Sequence, residues 1–266
     1  MRNRFIRGGI AVLAAAAALM LAACGSSTPS ASPTSGASSS KVTGSITVFA
    51  AASLTETFDR IGKDFEAANP GTKVTFSYGG SSMLATQIDQ GAPADVFAAA
   101  SPATMKMVTD AGNGAGAPAT FVKNQLVIAV LKGNPKNIKS LSDLAAPGVK
   151  VALCDDSVPC GAAAKTALKA ANVNLTPVTK ETDVKQALAK VKLGEVDAAL
   201  VYRTDARADP ADVDGIEFPE SARAMNAYPI VVLKDTSNKS TAQAFVNYVL
   251  SDKGMAVLIA AGFQKP

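Results

Sequence analysis

The sequence predicts an α/β protein of two lobes, each a mostly parallel sheet flanked by helices. Apolar runs of strand length alternate along the chain with segments whose apolar residues recur at helical spacing. Aromatic residues make up only 5% of the chain, so the core must be built mainly from the Ala, Val, Leu and Ile that fill buried parallel sheets. The length of 266 residues exceeds one small domain and fits two lobes.

Residues 45–122 alternate between strands and helices three times. In the first helix Leu54, Phe58, Ile61 and Phe65 recur on one face, and Asn69-Pro70-Gly71 ends it. The strands are predicted at residues 45–51, 73–78 and 95–98, and the helices after residue 53, after residue 82 and from Ser101-Pro102.

The rest of the chain continues the alternation. Strands are predicted at 125–131, 149–153, 197–202 and 227–233, and helices at 141–144, 161–171, 182–193, 241–250 and 254–261. We therefore expect residues 45–122 with 230–266 to form lobe I and residues 123–229 to form lobe II. The two crossings between the lobes are expected near residues 121–125 and 225–230.

The N-terminus predicts export and anchoring. Residues 1–23 combine three early arginines with an apolar stretch of about a dozen residues, which is typical of a signal peptide and too short to span a bilayer permanently. Leu21-Ala22-Ala23-Cys24 resembles the bacterial lipobox, in which the cysteine becomes the lipidated N-terminus; the alternative is ordinary cleavage beside a free thiol. Residues 24–44 are expected to be this cysteine and a flexible tether, since residues 25–40 contain only Gly, Ser, Thr, Pro and Ala. The protein is expected on the extracytoplasmic face of the cell membrane.

Charge and composition exclude several classes of function. The net charge of +4 falls to +1 without residues 1–23, because 26 basic residues become 23 against the same 22 acidic ones. A nearly neutral body argues against nucleic-acid binding, which needs clustered Lys and Arg. The chain contains no histidine, which excludes His-based triads and His-containing metal sites. We expect a monomer that is not an enzyme and holds no cofactor.

The two remaining cysteines, Cys154 and Cys160, favour a disulfide in an exported protein. Closing so small a loop contributes roughly 2–2.5 kcal/mol in the chain-entropy treatment. The alternative is a redox-active pair, although the spacing differs from Cys-x-x-Cys.

Candidate ligand-binding residues stand at junctions between strands and helices. In open α/β sheets, ligands bind beyond the carboxyl ends of strands, where helix N-termini offer unpaired N–H groups and a positive dipole end. Each position also has a structural interpretation: Ser53 with Glu56 fits a capping box, Ser81 fits an N-cap, and Tyr202 fits a half-buried aromatic. The spacing alone indicates a cleft suited to anions. The junction residues are Ser53, Ser81, Ser82, Cys160, Gly161, Val184 and Tyr202.

Several motifs resemble those of the periplasmic molybdate-binding proteins of ABC importers, over residues 45–264. The resemblance implies a type II periplasmic-binding-protein-like fold with two interlobe crossings, together with a permease and an ATPase as partners. The motifs are Val48-Phe49-Ala50-Ala51-Ala52-Ser53-Leu54-Thr55, Gly91-Ala92-Pro93-Ala94-Asp95-Val96-Phe97, Val158-Pro159-Cys160-Gly161, Asp183-Val184-Lys185, Val201-Tyr202-Arg203-Thr204-Asp205-Ala206 and Ala261-Gly262-Phe263.

By this resemblance the two lobes close on a tetrahedral dianion, and molybdenum is held only as molybdate. The first lobe would supply the hydroxyls and backbone N–H groups of Ser53 and Ser81. The second would supply the backbone N–H groups of Cys160 and Val184 and the hydroxyl of Tyr202. Ser82 is the reserve candidate. This chain departs from the family pattern by a cysteine at 160, a glycine at 80 and an arginine at 203, which could make the cleft more positive.

Neutral donors suit such a ligand, because molybdate, tungstate and sulfate are dianions at neutral pH that can only accept hydrogen bonds. Selection among them must come from cavity size, and molybdate and tungstate are nearly equal in size. Three other interpretations remain: a receptor for another oxyanion such as sulfate, a thiol-disulfide enzyme using Cys154 and Cys160, and a structural lipoprotein.

Overall fold

A computed structural model describes residues 42–266. The predicted signal peptide, Cys24 and the tether as far as residue 41 lie outside the described residues. The strands are β1 Gly44–Ala51, β2 Thr72–Gly79, β3 Val96–Ala98, β4 Ala119–Asn124, β5 Leu126–Leu131, β6 Val151–Cys154, β7 Thr179–Glu181, β8 Ala198–Tyr202, β9 Val213–Ile216 and β10 Asn226–Val232. The α-helices are α1 Thr55–Ala68, α2 Ser81–Asp89, α3 Pro102–Asp110, α4 Pro159–Ala170, α5 Val184–Lys192, α6 Arg203–Ala208, α7 Lys239–Leu250 and α8 Asp252–Ala260.

The strands form two five-stranded sheets with the same topology. The first has the order β2-β1-β3-β10-β4 and the second β7-β6-β8-β5-β9. In the first sheet β10 is antiparallel to the other four strands, and in the second sheet β5 is. These are the strands that have just crossed from the other lobe. The predicted two-lobed fold of mostly parallel sheets is confirmed.

The lobe boundaries differ by a few residues from those expected. The expected boundaries, at 122/123 and at 229/230, cut through β4 and β10, yet both strands belong entirely to the first sheet. The reason is that β4 and β10 pair with each other as far as Asn124 and Asn226, which face each other in the ladder. The crossings are therefore the single residues Gln125 and Met225, between β4 and β5 and before β10.

The apolar stripe of α1 packs into the first lobe as its spacing predicts. Phe58, Ile61 and Phe65 are at most 1% exposed. The ring of Phe245 on α7 lies 6.1 Å from that of Phe58 and 5.5 Å from that of Phe65, both edge-on, which is a favourable arrangement. This packing holds the N-terminal end of α1 behind the carboxyl end of β1.

Three strands and one helix were not predicted. The strands β4, β7 and β9 each form an edge of a sheet, where one side of the strand lacks a partner and a long apolar run is not required. The helix α6 spans six residues and carries two arginines and one aspartate. The predicted helix at 141–144 is a 3-10 turn, Ser142–Ala145. Within residues 42–266, no helix has both the length and the apolar character needed to cross a membrane.

Candidate functional site

A small cavity lies between the two lobes, where the carboxyl ends of β1 and β8 meet the N-termini of α2, α4 and α5. Its empty space, including the mouth, is about 220 Å³. All five residues predicted to bind a ligand line it. The lining residues are Ala51, Ala52, Ser53, Gly79, Gly80, Ser81, Ala100, Val158, Pro159, Cys160, Asp183, Val184 and Tyr202.

Ser53 lies in a 3-10 turn, Ala52–Leu54, between β1 and α1, and is 3% exposed. The capping-box interpretation is wrong: the N-cap residue of α1 is Leu54, without a side-chain cap, and Glu56 pairs instead with a lysine of the other lobe. The Ser53 hydroxyl oxygen lies 2.8 Å from the hydroxyl of Tyr228 on β10. Its position is therefore set by a contact with a distant strand.

Ser81 is the first residue of α2, and Gly80 before it is the N-cap residue. The Ser81 hydroxyl oxygen accepts a hydrogen bond of 3.0 Å from the backbone N–H of Ala100, so its own hydrogen is free to point elsewhere. The first backbone bond of α2 is donated by Leu84 to Gly80. The N–H of Ser81 therefore precedes the helical ladder and faces the N-terminal end.

The second lobe presents two helix N-termini. The first backbone hydrogen bond of α4 is donated by Ala162, and that of α5 by Ala187. The N–H of Cys160 in α4 and the N–H of Val184 in α5 therefore lie before the first hydrogen bond of their helices. The carboxylate of Asp183 caps α5 by accepting from the N–H groups of Lys185 and Gln186. The N–H of Val184 is not among the groups that donate to the Asp183 carboxylate.

The loop before α4 is held tightly. A disulfide joins Cys154 and Cys160, with 5.7 Å between their Cα atoms. A side chain at Gly161 would place its Cβ 1.9 Å from the carbonyl oxygen of Asp155, so the turn leaves no room for one. These contacts hold the Cys160 N–H at the cavity.

Tyr202 ends β8 and is 1% exposed. Its hydroxyl oxygen accepts a hydrogen bond of 2.7 Å from the side-chain amide of Asn226, and the same amide donates to the carbonyl of Ala100, also at 2.7 Å. Burial raises the pKa of Tyr202 and that of Tyr228 above the ordinary tyrosine value. Both phenols therefore keep their protons at neutral pH and can act as donors.

The cavity lining offers backbone and hydroxyl dipoles, and its one carboxylate, that of Asp183, accepts hydrogen bonds from the N–H groups of Lys185 and Gln186. Within the described chain, the lining contains no lysine or arginine. Three helices begin at the cavity, and each places the positive end of its dipole there. Hydroxyl and N–H donors at helix N-termini form a site that favours a small anion.

Two residues with undecided roles lie away from the cavity. The Ser82 hydroxyl donates to the carbonyl of Ser157 at 2.7 Å, which joins the two lobes at an exposed position. Arg203 forms two hydrogen bonds, of 2.6 and 2.8 Å, with the carboxylate of Glu217. The guanidinium therefore contributes to an ion pair outside the cavity lining.

The structure adds four residues that the sequence did not point to: Tyr228 and Asn226 behind the hydroxyls, and Lys185 with Asp205 beside the cavity. Asp205 is fully buried, and its Oδ1 lies 3.3 Å from the Lys185 ammonium group. Burial raises the pKa of Asp205 to about 6 although Lys185 opposes this effect. Lys185 and Asp205 stand in the motifs Asp183-Val184-Lys185 and Val201-Tyr202-Arg203-Thr204-Asp205-Ala206, but those motifs drew attention to Val184 and Tyr202.

Comparison with known proteins identifies the family. Residues 46–264 match the family of bacterial extracellular solute-binding proteins. The chain belongs to this family. It is 46% identical to the molybdate-binding protein ModA of Mycobacterium bovis, over 92% of this chain and 93% of the relative. It is 34% identical to YvgL, a putative ABC transporter substrate-binding lipoprotein of Bacillus subtilis, over 97% and 98% of the two chains.

The fold of this solute-binding protein is also found among solved structures. The periplasmic molybdate-binding protein of Azotobacter vinelandii superimposes with a TM-score of 0.72 at 22% identity, covering 83% of this chain and 99% of that one. Membership of the solute-binding family makes the protein a binding protein that works outside the cytoplasm.

Proposed function

We propose that this protein captures molybdate, and tungstate with it, outside the cytoplasmic membrane and delivers the ion to the permease and ATPase of an ABC importer. One observation carries the proposal: five residues whose hydroxyls or backbone N–H groups can donate hydrogen bonds line one small cavity between the lobes. The name of the 46% identical relative supports molybdate as the solute.

The proposed donors match a dianion that can only accept hydrogen bonds. They are the hydroxyls of Ser53, Ser81 and Tyr202 and the backbone N–H groups of Ser53, Ser81, Cys160 and Val184. Roughly seven charge-assisted bonds of about 1.5–3 kcal/mol each give on the order of 10–20 kcal/mol. Closure and ordering subtract several kcal/mol, which leaves a value compatible with binding in the micromolar to nanomolar range, about 8–12 kcal/mol.

The decisive experiment is calorimetric titration of residues 40–266, whose described part forms one compact unit, with molybdate in the presence and absence of excess sulfate. Tight one-to-one binding that sulfate does not displace is expected, because a ring of donors sized for long metal–oxygen bonds fits the smaller sulfate poorly. Displacement by sulfate would make the protein a general oxyanion receptor. Failure of the folded protein to bind either ion would contradict the proposal.

Anchoring and oxidation belong to the same proposal. A lipid on Cys24 would keep the protein at the membrane, and Cys24→Ala should release it into the soluble fraction; an anchored variant would contradict this. The bond between Cys154 and Cys160 is proposed to persist in the exported protein. A thiol titration that finds free cysteines there would instead favour the thiol-disulfide enzyme.

A further inference from the structure

Each side-chain hydroxyl that lines the cavity has a protein group behind it that can donate a hydrogen bond. Behind Ser81 the donor is the backbone N–H of Ala100, whose direction is fixed because an amide nitrogen can only donate. The Ser81 oxygen therefore accepts, and its single hydrogen is available to the cavity.

The donor behind Tyr202 is equally well defined. The nitrogen of the Asn226 side chain lies 2.7 Å from the carbonyl oxygen of Ala100, which can only accept, so the NH₂ group must be the one facing it. The same nitrogen lies 2.7 Å from the Tyr202 hydroxyl. Since that nitrogen cannot accept, the Tyr202 oxygen does, and its hydrogen is left for another partner.

The third pair, Ser53 and Tyr228, can be arranged in two ways, because either hydroxyl can donate across the 2.8 Å between them. If Ser53 donated to Tyr228, only lone pairs of Ser53 would face the cavity, and they would repel an anion. If Tyr228 donates, the Ser53 hydrogen is free to point inward. Tyr228 is fully buried, and it stands two residues after Asn226 on β10.

We infer that Tyr228 and Asn226 are positioning residues that orient the hydroxyl hydrogens of Ser53 and Tyr202 towards a bound oxyanion. This inference rests on the proposed function. Both residues stand on β10, the strand that enters the first lobe from the second, and so a single strand sets the donor direction in both lobes. The Asn226 amide meets Ala100 of the first lobe and Tyr202 of the second at once, which ties this orientation to the closed arrangement.

A double-mutant cycle tests the inference. Molybdate titration of residues 40–266 would compare the wild type, Tyr228→Phe, Ser53→Ala and the double variant. Because a hydrogen bond to a charged group is at stake, Tyr228→Phe should raise the Kd about tenfold when Ser53 is present. In the Ser53→Ala background the same change should have a much smaller effect on the Kd, because the hydrogen bond between Tyr228 and Ser53 is already absent there.

A matched control is Tyr78→Phe, which removes a tyrosine hydroxyl that hydrogen-bonds to Asp59 at 2.8 Å outside the cavity lining. It should bind molybdate as the wild type does. Equal weakening by Tyr228→Phe in both backgrounds would show an effect on shape alone and overturn the inference. An unchanged Kd of Tyr228→Phe in the presence of Ser53 would also overturn it, while strong wild-type binding would leave the proposed function standing.

A second cycle guards against a variant that does not fold. Asn226→Ala and Tyr202→Phe should show the same lack of additivity, with thermal unfolding of each variant measured beside its Kd. Additive losses in this cycle would contradict the role of Asn226. Absence of molybdate binding by the wild type would instead contradict the proposed function.

Discussion

The ammonium group of Lys185 lies 2.6 Å from the carboxylate of Glu56, so an ion pair joins the second lobe to the first beside the cavity. The same ammonium lies 3.3 Å from Asp205, which is buried in its own lobe. Lys185 thus pairs with one carboxylate of its own lobe and with one of the other lobe. We expect the pair with Glu56 to stabilise the arrangement in which the two lobes are together.

Glu56→Gln should therefore weaken ligand binding without unfolding the protein. The Glu56 side chain is half exposed, and such pairs contribute little, so we expect a rise in the molybdate Kd of roughly two- to fivefold. The unfolding temperature of the ligand-free protein should stay unchanged. Lys185→Met is the contrasting variant, since it leaves Asp205 buried without its counter-ion and should lower the unfolding temperature. Equal unfolding temperatures for these two variants would contradict this division of roles.

Asp205 should make stability depend on pH. Its pKa in the folded protein, about 6, lies above the ordinary value of 3.8, so the folded state binds this proton more tightly than the unfolded state. The contribution of Asp205 to stability is therefore fully present below about pH 4 and is lost as the pH rises through 6. The free energy of unfolding of Asp205→Asn should therefore increase relative to that of the wild type between pH 4 and 7, by an amount on the order of 3 kcal/mol.

Urea unfolding at several pH values between 4 and 7 measures this gain. Asp214→Asn serves as the control with the opposite sign, because the side chain of Lys132 lowers the pKa of Asp214. That variant should lose stability relative to the wild type as the pH rises towards 4, and its difference from the wild type should stay nearly constant at higher pH. If the difference in unfolding free energy between Asp205→Asn and the wild type did not change between pH 4 and 7, Asp205 would not titrate in that range.

Gly80→Ala should impede closure. Gly80 has an ordinary φ of −61°, so alanine adds no backbone strain, but its Cβ would lie 2.3 Å from the carbonyl oxygen of Thr182 in the opposite lobe. Overpacking of this kind costs about 1–3 kcal/mol, which corresponds to a rise in the Kd of roughly 5- to 150-fold. Stability without ligand should hardly change, because the open lobes avoid the contact.

The matched control for Gly80→Ala is Gly114→Ala, whose added Cβ would meet no atom closer than 3.5 Å. Its Kd for molybdate should equal that of the wild type. If Gly80→Ala bound as tightly as this control, the close approach of the lobes at Thr182 would not be needed for binding.

Cys160→Ala should distinguish ligand binding by the backbone N–H of this residue from the disulfide that its side chain forms with Cys154. Only its N–H is proposed to bind the ligand, so the folded variant should still bind molybdate. Loss of the disulfide should lower the unfolding free energy by roughly 2–2.5 kcal/mol, and Cys154→Ala should lower it equally. Loss of binding in folded Cys160→Ala, with binding kept in Cys154→Ala, would point to a role for the Cys160 side chain.

Much of the site could be predicted from local sequence. Ser53, Ser81, Cys160, Val184 and Tyr202 stand where a strand ends or a helix begins, and the apolar periodicity marks those junctions. The edge strands β4, β7 and β9 were missed because each pairs on one side only and carries no long apolar run. The lobe boundary was misplaced by a few residues because no local pattern reports that β4 pairs with β10.

The sequence by itself determined the fold class and marked the junctions between strands and helices, because apolar spacing and helix starts are local properties. The choice of five binding residues among those junctions came from the resemblance to a family. Only the tertiary structure decided which groups stand behind the hydroxyls at the cavity and which contacts join the lobes. Ser53 meets Tyr228 across 175 positions of the chain, and Lys185 meets Glu56 across 129. A hydrogen bond depends on distance and direction in space, and at such separations only the folded chain supplies both.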